Sequence, residues 1–185
     1  MIVALCGKKG VGKSTAANYL ISNGWYEVSF AKILKDIVSI MFDLDRTLLD
    51  GESAAARHWR ETTNLYWTDV FNENITPRIL LQRVGCALKD NFHSELWCFI
   101  LNKDISKILY DDKNANIVIS DLRFPDEASF IKQIYPNCKI LRIMRNTVSN
   151  DTHKSETMVD NIRYDEMYMN LFSKQNLYEW INSCI

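Results

Sequence analysis

The chain has no run of residues long and apolar enough to span a membrane. Its opening apolar run, Met1–Cys6, is too short for a signal peptide. Neither sign of charge is in excess: 22 Lys and Arg stand against 23 Asp and Glu, for a net charge of −1. The broad basic surface that duplex DNA or RNA demands is therefore missing, and a nucleic-acid polymer is not an expected partner. A small anionic ligand needs only a local cluster of cations and stays compatible with this balance. There is no Cys-x-x-Cys, and the five cysteines (Cys6, Cys86, Cys98, Cys138, Cys184) are odd in number. Cys6 and Cys138 stand in apolar strand-like runs, where a thiol behaves as a small hydrophobe. This excludes a disulfide framework and points to a reducing compartment, the cytoplasm. His58 and His93 have no metal-ligand spacing, and no Ser/His/Asp triad can be argued. Repeats, low-complexity tracts and linkers are absent as well.

What is present is an ordinary globular composition. At 185 residues, 47% hydrophobic and 24% charged, the chain suits a single domain with one sizeable core. Strand-like runs fall at Met1–Cys6, Tyr26–Phe30, Asn116–Ser120, Cys138–Met144 and, more weakly, Met167–Leu171. Helical patterns separate them at Lys13–Ser22, Lys32–Phe42, Pro77–Asp90, Ser94–Tyr110, Pro125–Tyr135 and Asn176–Cys184. This alternation predicts an α/β fold, with a parallel sheet and helices on both faces. The long helical stretch between the second and third strands predicts a helical lobe, so the core is expected at 1–30 and 114–185 and the lobe at 31–113.

The strongest chemical signal is Gly7-Lys8-Lys9-Gly10-Val11-Gly12-Lys13-Ser14, which matches G-x-x-x-x-G-K-[ST] between an apolar strand and a helix start. Glycines let the backbone curl so that several N–H groups face one anion at the positive end of the next helix. In such a P-loop Lys13 reaches the β- and γ-phosphates of a nucleotide and Ser14 holds Mg²⁺. Asn116–Ser120 runs into Asp121, and a carboxylate at such a strand end faces the phosphate loop and orients the metal. Arg123 follows at once, suited to gripping a phosphate in a fork. Arg142 and Arg145 lie in and after the fourth strand. The polar stretch from Arg145 to Glu156 (with Asn146, Asn150, Asp151, Thr152, His153 and Lys154) suits a flap over phosphates, a lid at about 145–156.

In the helix that opens at Thr76-Pro77, the residues Leu80, Leu81, Val84 and Leu88 form an apolar face. Arg78, Gln82, Gly85 and Lys89 form a separate polar stripe, in which the glycine leaves room for a flat ligand; a solvated face is the alternative. Regulatory GTPases are excluded, since Asp121 is followed by Leu122-Arg123-Phe124 rather than a D-x-x-G. Asn102-Lys103-Asp104 is likewise out of register for N-K-x-D. Mechanical ATPases need far more chain. Small-molecule kinases remain.

The whole pattern resembles the deoxynucleoside monophosphate kinases of tailed phages and large DNA viruses, within the P-loop nucleoside monophosphate kinase superfamily. The matching stretches are Gly7–Thr15, Ser29-Phe30-Ala31 with Leu34-Lys35, Pro77-Arg78 with Leu81-Gln82 and Gly85, Ile119–Ala128, and His153 with Ser155-Glu156. The resemblance implies a P-loop three-layer fold with a five-stranded parallel sheet, a helical acceptor-binding insert and a lid. It implies ATP and Mg²⁺ as cofactors, with Gly7, Lys8, Lys9, Gly10, Val11, Gly12, Lys13, Ser14, Thr15 and Arg142 around the donor. A nucleoside monophosphate is the implied acceptor, bordered by Phe30, Ala31, Lys35, Arg78, Gln82 and Arg123. Lys13, Arg123, Asp121 and Arg145 are the implied catalytic residues, with Ser14 and Asp121 at the metal. Cys86 and Lys89 depart from the threonine and arginine common at those positions, and Arg46–Phe71 matches nothing in the family. Base preference and the ribo or deoxyribo sugar stay open. Trp and Phe residues of 57–71 are candidates for a subunit contact in a homodimer. The alternatives are a P-loop kinase of another phosphorylated metabolite and a nucleotide-binding regulator without transfer activity.

Overall fold

Five short runs of apolar and β-branched residues form strands: β1 (Ile2–Cys6), β2 (Tyr26–Val28), β3 (Ile117–Leu122), β4 (Lys139–Met144) and β5 (Glu166–Met169). They make one sheet in the order β2-β3-β1-β4-β5, with every neighbouring pair parallel. The helices are α1 (Lys13–Ser22), α2 (Ala31–Phe42), α3 (Arg46–Asp50), α4 (Ala54–Glu61), α5 (Leu65–Phe71), α6 (Pro77–Asn91), α7 (Leu96–Asp111), α8 (Pro125–Ile134) and α9 (Lys174–Cys184). This computed structural model describes residues 1–145 and 157–185. The chain divides into two units, Met1–Phe30 with Cys98–Ile185, and Ala31–Trp97.

The first unit holds the sheet. β1 is buried along its whole length, as a central strand covered on both faces must be. Strand period two sends Val3 and Leu5 to one face, where Val118, Leu141 and Ile143 join Ala16, Ala17 and Leu20 of α1 and Leu177, Ile181 and Cys184 of α9 in one cluster. The alternate set, Ala4, Ile117, Ile119 and Ile140, is equally buried, and α7 and α8 are the remaining long helices among the described residues of the unit. These two meet through Phe99 against Phe130 and through Tyr135 Oη, which donates to Asn102 Oδ1 at 2.7 Å.

The second unit has its own core of Val38, Leu44, Leu49, Ile75, Leu80 and Leu81. Three of its helices lie in the segment that shows no helical pattern in the sequence. α3, α4 and α5 are only 5, 8 and 7 residues long, too short for a 3.6-residue period to register. Their starts are nonetheless capped by side chains. Asp45 accepts from Thr47 N–H at 2.8 Å, Ser53 Oγ from Ala56 N–H at 3.0 Å, and Asn64 Oδ1 from Trp67 N–H at 3.1 Å.

Candidate active site

Strand register decides what surrounds the glycine-rich loop. Cys6 lies opposite Leu122 of β3 on one side and opposite Arg142 of β4 on the other. The loop after Cys6 therefore leaves the middle of the sheet between the carboxyl ends of its two neighbours, where open α/β sheets bind ligands. Gly7, Gly10 and Gly12 have φ of +142°, +80° and +117°, which side chains resist. A Cβ on Gly7 would collide with the main-chain oxygen of Ile143, and one on Gly12 would stand 2.6 Å from Asn170 Nδ2. Gly12 is also the cap of α1. Gly12 supplies no side-chain cap hydrogen bond, and the first turn of α1 carries no acid. In contrast, α3, α4, α5, α6 and α9 each begin on a side-chain acceptor. The positive end of α1, its opening N–H groups unclaimed by a capping side chain at Gly12, suits a phosphate.

Lys13, the first residue of α1, is only 8% exposed. Its ammonium donates to Gly7 O at 2.6 Å and Lys8 O at 2.8 Å, so the loop's own carbonyls solvate the buried charge. Phosphate oxygens are stronger acceptors for the same group. Ser14 is exposed at the next position.

Asp121 is the penultimate residue of β3, close to the strand end where the sequence places it. Ala4 pairs with Ile119 and Cys6 with Leu122, so β3 carries one extra residue here, a bulge at Ser120-Asp121. Bulges re-aim side chains. The Asp121 carboxylate turns toward the end of β2, where Oδ1 accepts from Phe30 N–H and Oδ2 from Ser29 Oγ–H, both at 2.9 Å. Beyond it, Glu127 Oε2 accepts the N–H groups of Arg123 at 2.9 Å and Phe124 at 3.0 Å, pinning the turn that carries Arg123. Burial pushes the Glu127 carboxyl up to about 8, against those two N–H donors, and the charge of Asp121 adds to the rise. Hydroxyl and carboxylate oxygens such as those of Ser14 and Asp121 are the hard donors Mg²⁺ takes, a phosphate completing the set. Among the described residues no group of three or more His, Cys, Asp or Glu side chains is arranged to hold a metal ion by itself.

On the β4 side Arg142 is buried, with Nη2 donating to Asp160 Oδ1 at 2.5 Å and the guanidinium 5.5 Å from the centre of the Tyr164 ring. Asp160 also pairs with Lys8 of the loop at 2.8 Å. The Lys8 bond first, then Arg142, holds the Asp160 carboxyl below the usual range. Arg145 is exposed and donates from Nε to Asn170 O at 3.3 Å. The rest of the expected lid, with His153, Lys154, Ser155 and Glu156, lies outside the described residues.

The first unit thus brings together Gly7–Thr15, Phe30, Asp121, Arg123, Arg142 and Arg145. Lys35, Arg78 and Gln82 belong to the second unit. There Lys35 Nζ donates to Asp50 Oδ1 at 3.0 Å, and Arg46 pairs with the same carboxylate. Burial opposes these bonds, yet Arg46 and Lys35 hold the Asp50 carboxyl below its ordinary range. Arg78 pairs with Glu61 at 3.1 Å, and Gln82 is half-buried. The room expected at Gly85 is taken: a Cβ there would stand 3.1 Å from Leu34 Cδ2, so the glycine admits a neighbouring helix rather than a flat ligand. Trp59 and Trp67 are half-buried against the core of the unit, while Leu65, Tyr66 and Phe71 are exposed. Sequence reasoning missed Asp160 and Asn170. Asn170 had one visible signal, an asparagine directly after the apolar run of β5.

Over its full length the chain is 32% identical to a protein of Acanthamoeba polyphaga mimivirus named "Putative deoxynucleotide monophosphate kinase", covering 96% of that protein. No family model matches the chain. Among solved structures, a sugar kinase from Janibacter sp. HTCC2649 superposes with a TM-score of 0.50 over 99% of this chain and 92% of its own, at 10% identity, which is a likeness of fold. A Thermus thermophilus protein aligns over 100% of this chain and 95% of its own, with a TM-score of 0.49 and 15% identity.

Proposed function

The chain belongs to the deoxynucleoside monophosphate kinase family, and on that premise we propose that it transfers the γ-phosphoryl group of ATP to a nucleoside monophosphate, giving ADP and the nucleoside diphosphate. The observation that carries the reading is the cradle formed by three glycines at positive φ, an uncapped helix start and the buried Lys13 ammonium. That arrangement is suited to a polyphosphate and to little else.

The amides of Gly7–Thr15 hold the donor phosphates, and Lys13 exchanges the carbonyls of Gly7 and Lys8 for phosphate oxygens. Ser14 and Asp121 are the residues that would hold Mg²⁺, which when bound would supply charge neutralisation for the phosphate oxygens. A phosphate oxygen of the acceptor, already ionised, forms the new bond to the γ-phosphorus in line. The bond from that phosphorus to the β–γ bridging oxygen breaks, and its electron pair leaves with ADP. No strong general base is required, so catalysis is positioning and charge neutralisation. Arg123 and Arg145 supply cations for the transferring group, with Arg142 beside the donor. By the family resemblance Phe30, Ala31, Lys35, Arg78, Gln82 and Arg123 are assigned to the acceptor.

A coupled assay of ADP release over a panel of ribo- and deoxyribonucleoside monophosphates tests this. ADP is expected only when a nucleoside monophosphate is present. Turnover with sugar phosphates or other phosphorylated metabolites in its place would contradict the acceptor assignment.

A further inference from the structure

Asn170 follows β5 and is, among the described residues of the first unit, one of the few buried polar side chains, at 7% exposure. A primary amide is tolerated in such a place only when it is hydrogen-bonded. Its Nδ2 donates to Val11 O, in the middle of the glycine-rich loop, at 2.8 Å. Since a carbonyl stands opposite, the amide must present its NH₂ end there. The main-chain N–H of Asn170 donates to Met144 O at 2.7 Å, and its main-chain O accepts from Arg145 Nε at 3.3 Å. One residue thus ties together the loop, the end of β4 and Arg145.

The bond to Val11 has a consequence for the next amide. A trans peptide points its C=O and N–H in opposite directions, and none of the described peptide bonds is cis. With Val11 O turned toward Asn170, the Gly12 N–H is turned away from it. Without that partner the Val11–Gly12 peptide would be free to rotate, because glycine tolerates either orientation. Gly12 also makes the approach physically open, since a Cβ there would stand 2.6 Å from Asn170 Nδ2.

We propose that Asn170 is a positioning residue for the donor nucleotide: its buried amide sets the Val11–Gly12 peptide so that the Gly12 N–H faces the donor phosphates. The inference deepens the kinase reading above and rests on it. Its target is donor affinity, since the Asn170 contact falls on Val11, inside the glycine-rich loop.

The test compares the wild-type chain, Asn170→Ala and Ile181→Val, the last a fully buried apolar change on α9 that removes no hydrogen bond. ADP affinity is measured by calorimetry, and KM for ATP and for the monophosphate by steady-state kinetics. Asn170→Ala is expected to weaken ADP binding and raise KM for ATP by about tenfold, the worth of one lost hydrogen bond. KM for the monophosphate stays within about twofold, the scale of a contact that was not touched. Ile181→Val leaves both KM values unchanged while lowering the melting temperature. ADP affinity unchanged in Asn170→Ala, or both KM values rising together in both variants, overturns the proposal. Should Asn170→Ala not fold, wild-type protein labelled with ¹⁵N on asparagine supplies the reading. Exchange of the Asn170 side-chain amide slows on ADP binding and not on monophosphate binding, and exchange indifferent to ADP overturns the role. Wild-type protein that binds neither ADP nor ATP overturns the kinase reading and this inference with it. Equal binding by wild type and Asn170→Ala overturns the role of Asn170 alone.

Discussion

Lys13 and Glu127 mark two ways in which a single residue serves this site. Lys13 is a buried cation whose partners are loop carbonyls, so its charge is set where phosphate oxygens would be stronger acceptors. Lys13→Ala is expected to cut turnover on the order of a hundredfold or more, as removal of a charge-stabilising donor does. Steady-state kcat checks this, and a near-normal rate would count against the assignment. Glu127 acts through the backbone, holding the N–H groups of Arg123 and Phe124. Its pKa rises from 4.5 to about 8 on folding, chiefly through burial. Between those values the folded chain keeps a proton that the unfolded chain has lost, so stability falls as pH rises through that window. Glu127→Gln removes this titration and keeps an acceptor for the two N–H groups. The melting temperature of the wild type is therefore expected to fall further between pH 5 and pH 9 than that of the variant, and parallel curves would contradict it. The buried thiols behave as the apolar runs around them suggest. Burial pushes Cys6 up to about 11 and Cys138 up to about 12, so both stay protonated and inert near neutrality.

At the scale of elements, the glycine-rich loop depends on different glycines for different reasons. Gly7 combines φ +142° with a main-chain oxygen where its Cβ would sit, whereas Gly10 has φ +80° and open space around it. Gly7→Ala is expected to cost at least about 3 kcal/mol, combining backbone strain with a clash that no side chain can relieve. Gly10→Ala should cost about 1 kcal/mol. Urea midpoints of the two variants check this, and equal losses would contradict it. The loop was legible in the sequence because its chemistry is contiguous: eight residues between a strand and a helix carry the whole signal. The alternation of strands and helices was legible for a similar reason, since five apolar runs are separated by helical periods. The three short helices of 46–71 left only their caps, Asp45, Ser53 and Asn64, as local signals. The bulge that turns Asp121 toward Ser29 and Phe30 depends on strand register, which no local pattern encodes. Asn170 and Val11 meet across 159 residues of sequence, and only the completed sheet joins them.

The whole molecule is a parallel sheet unit and a helical unit, each with its own buried core. Separate cores predict separable local stability. Ile75→Ala, at a fully buried position of the helical unit, should cost about 2–5 kcal/mol. Loss of hydrogen-exchange protection is expected to concentrate in 31–97, while β1, β3 and β4 keep theirs. Uniform loss along the chain would show one cooperative unit instead. The central claim concerns the chemistry of the intact chain: the glycine-rich cradle delivers a phosphoryl group to a nucleoside monophosphate and not to water. Its most direct test is ATP labelled with ³²P at the γ-position, incubated with the protein, Mg²⁺ and a deoxynucleoside monophosphate, with the products separated. The account predicts the label at the β-position of the nucleoside diphosphate and almost none in inorganic phosphate. Label released as inorganic phosphate whether or not the monophosphate is present, or label that never leaves ATP, would contradict it.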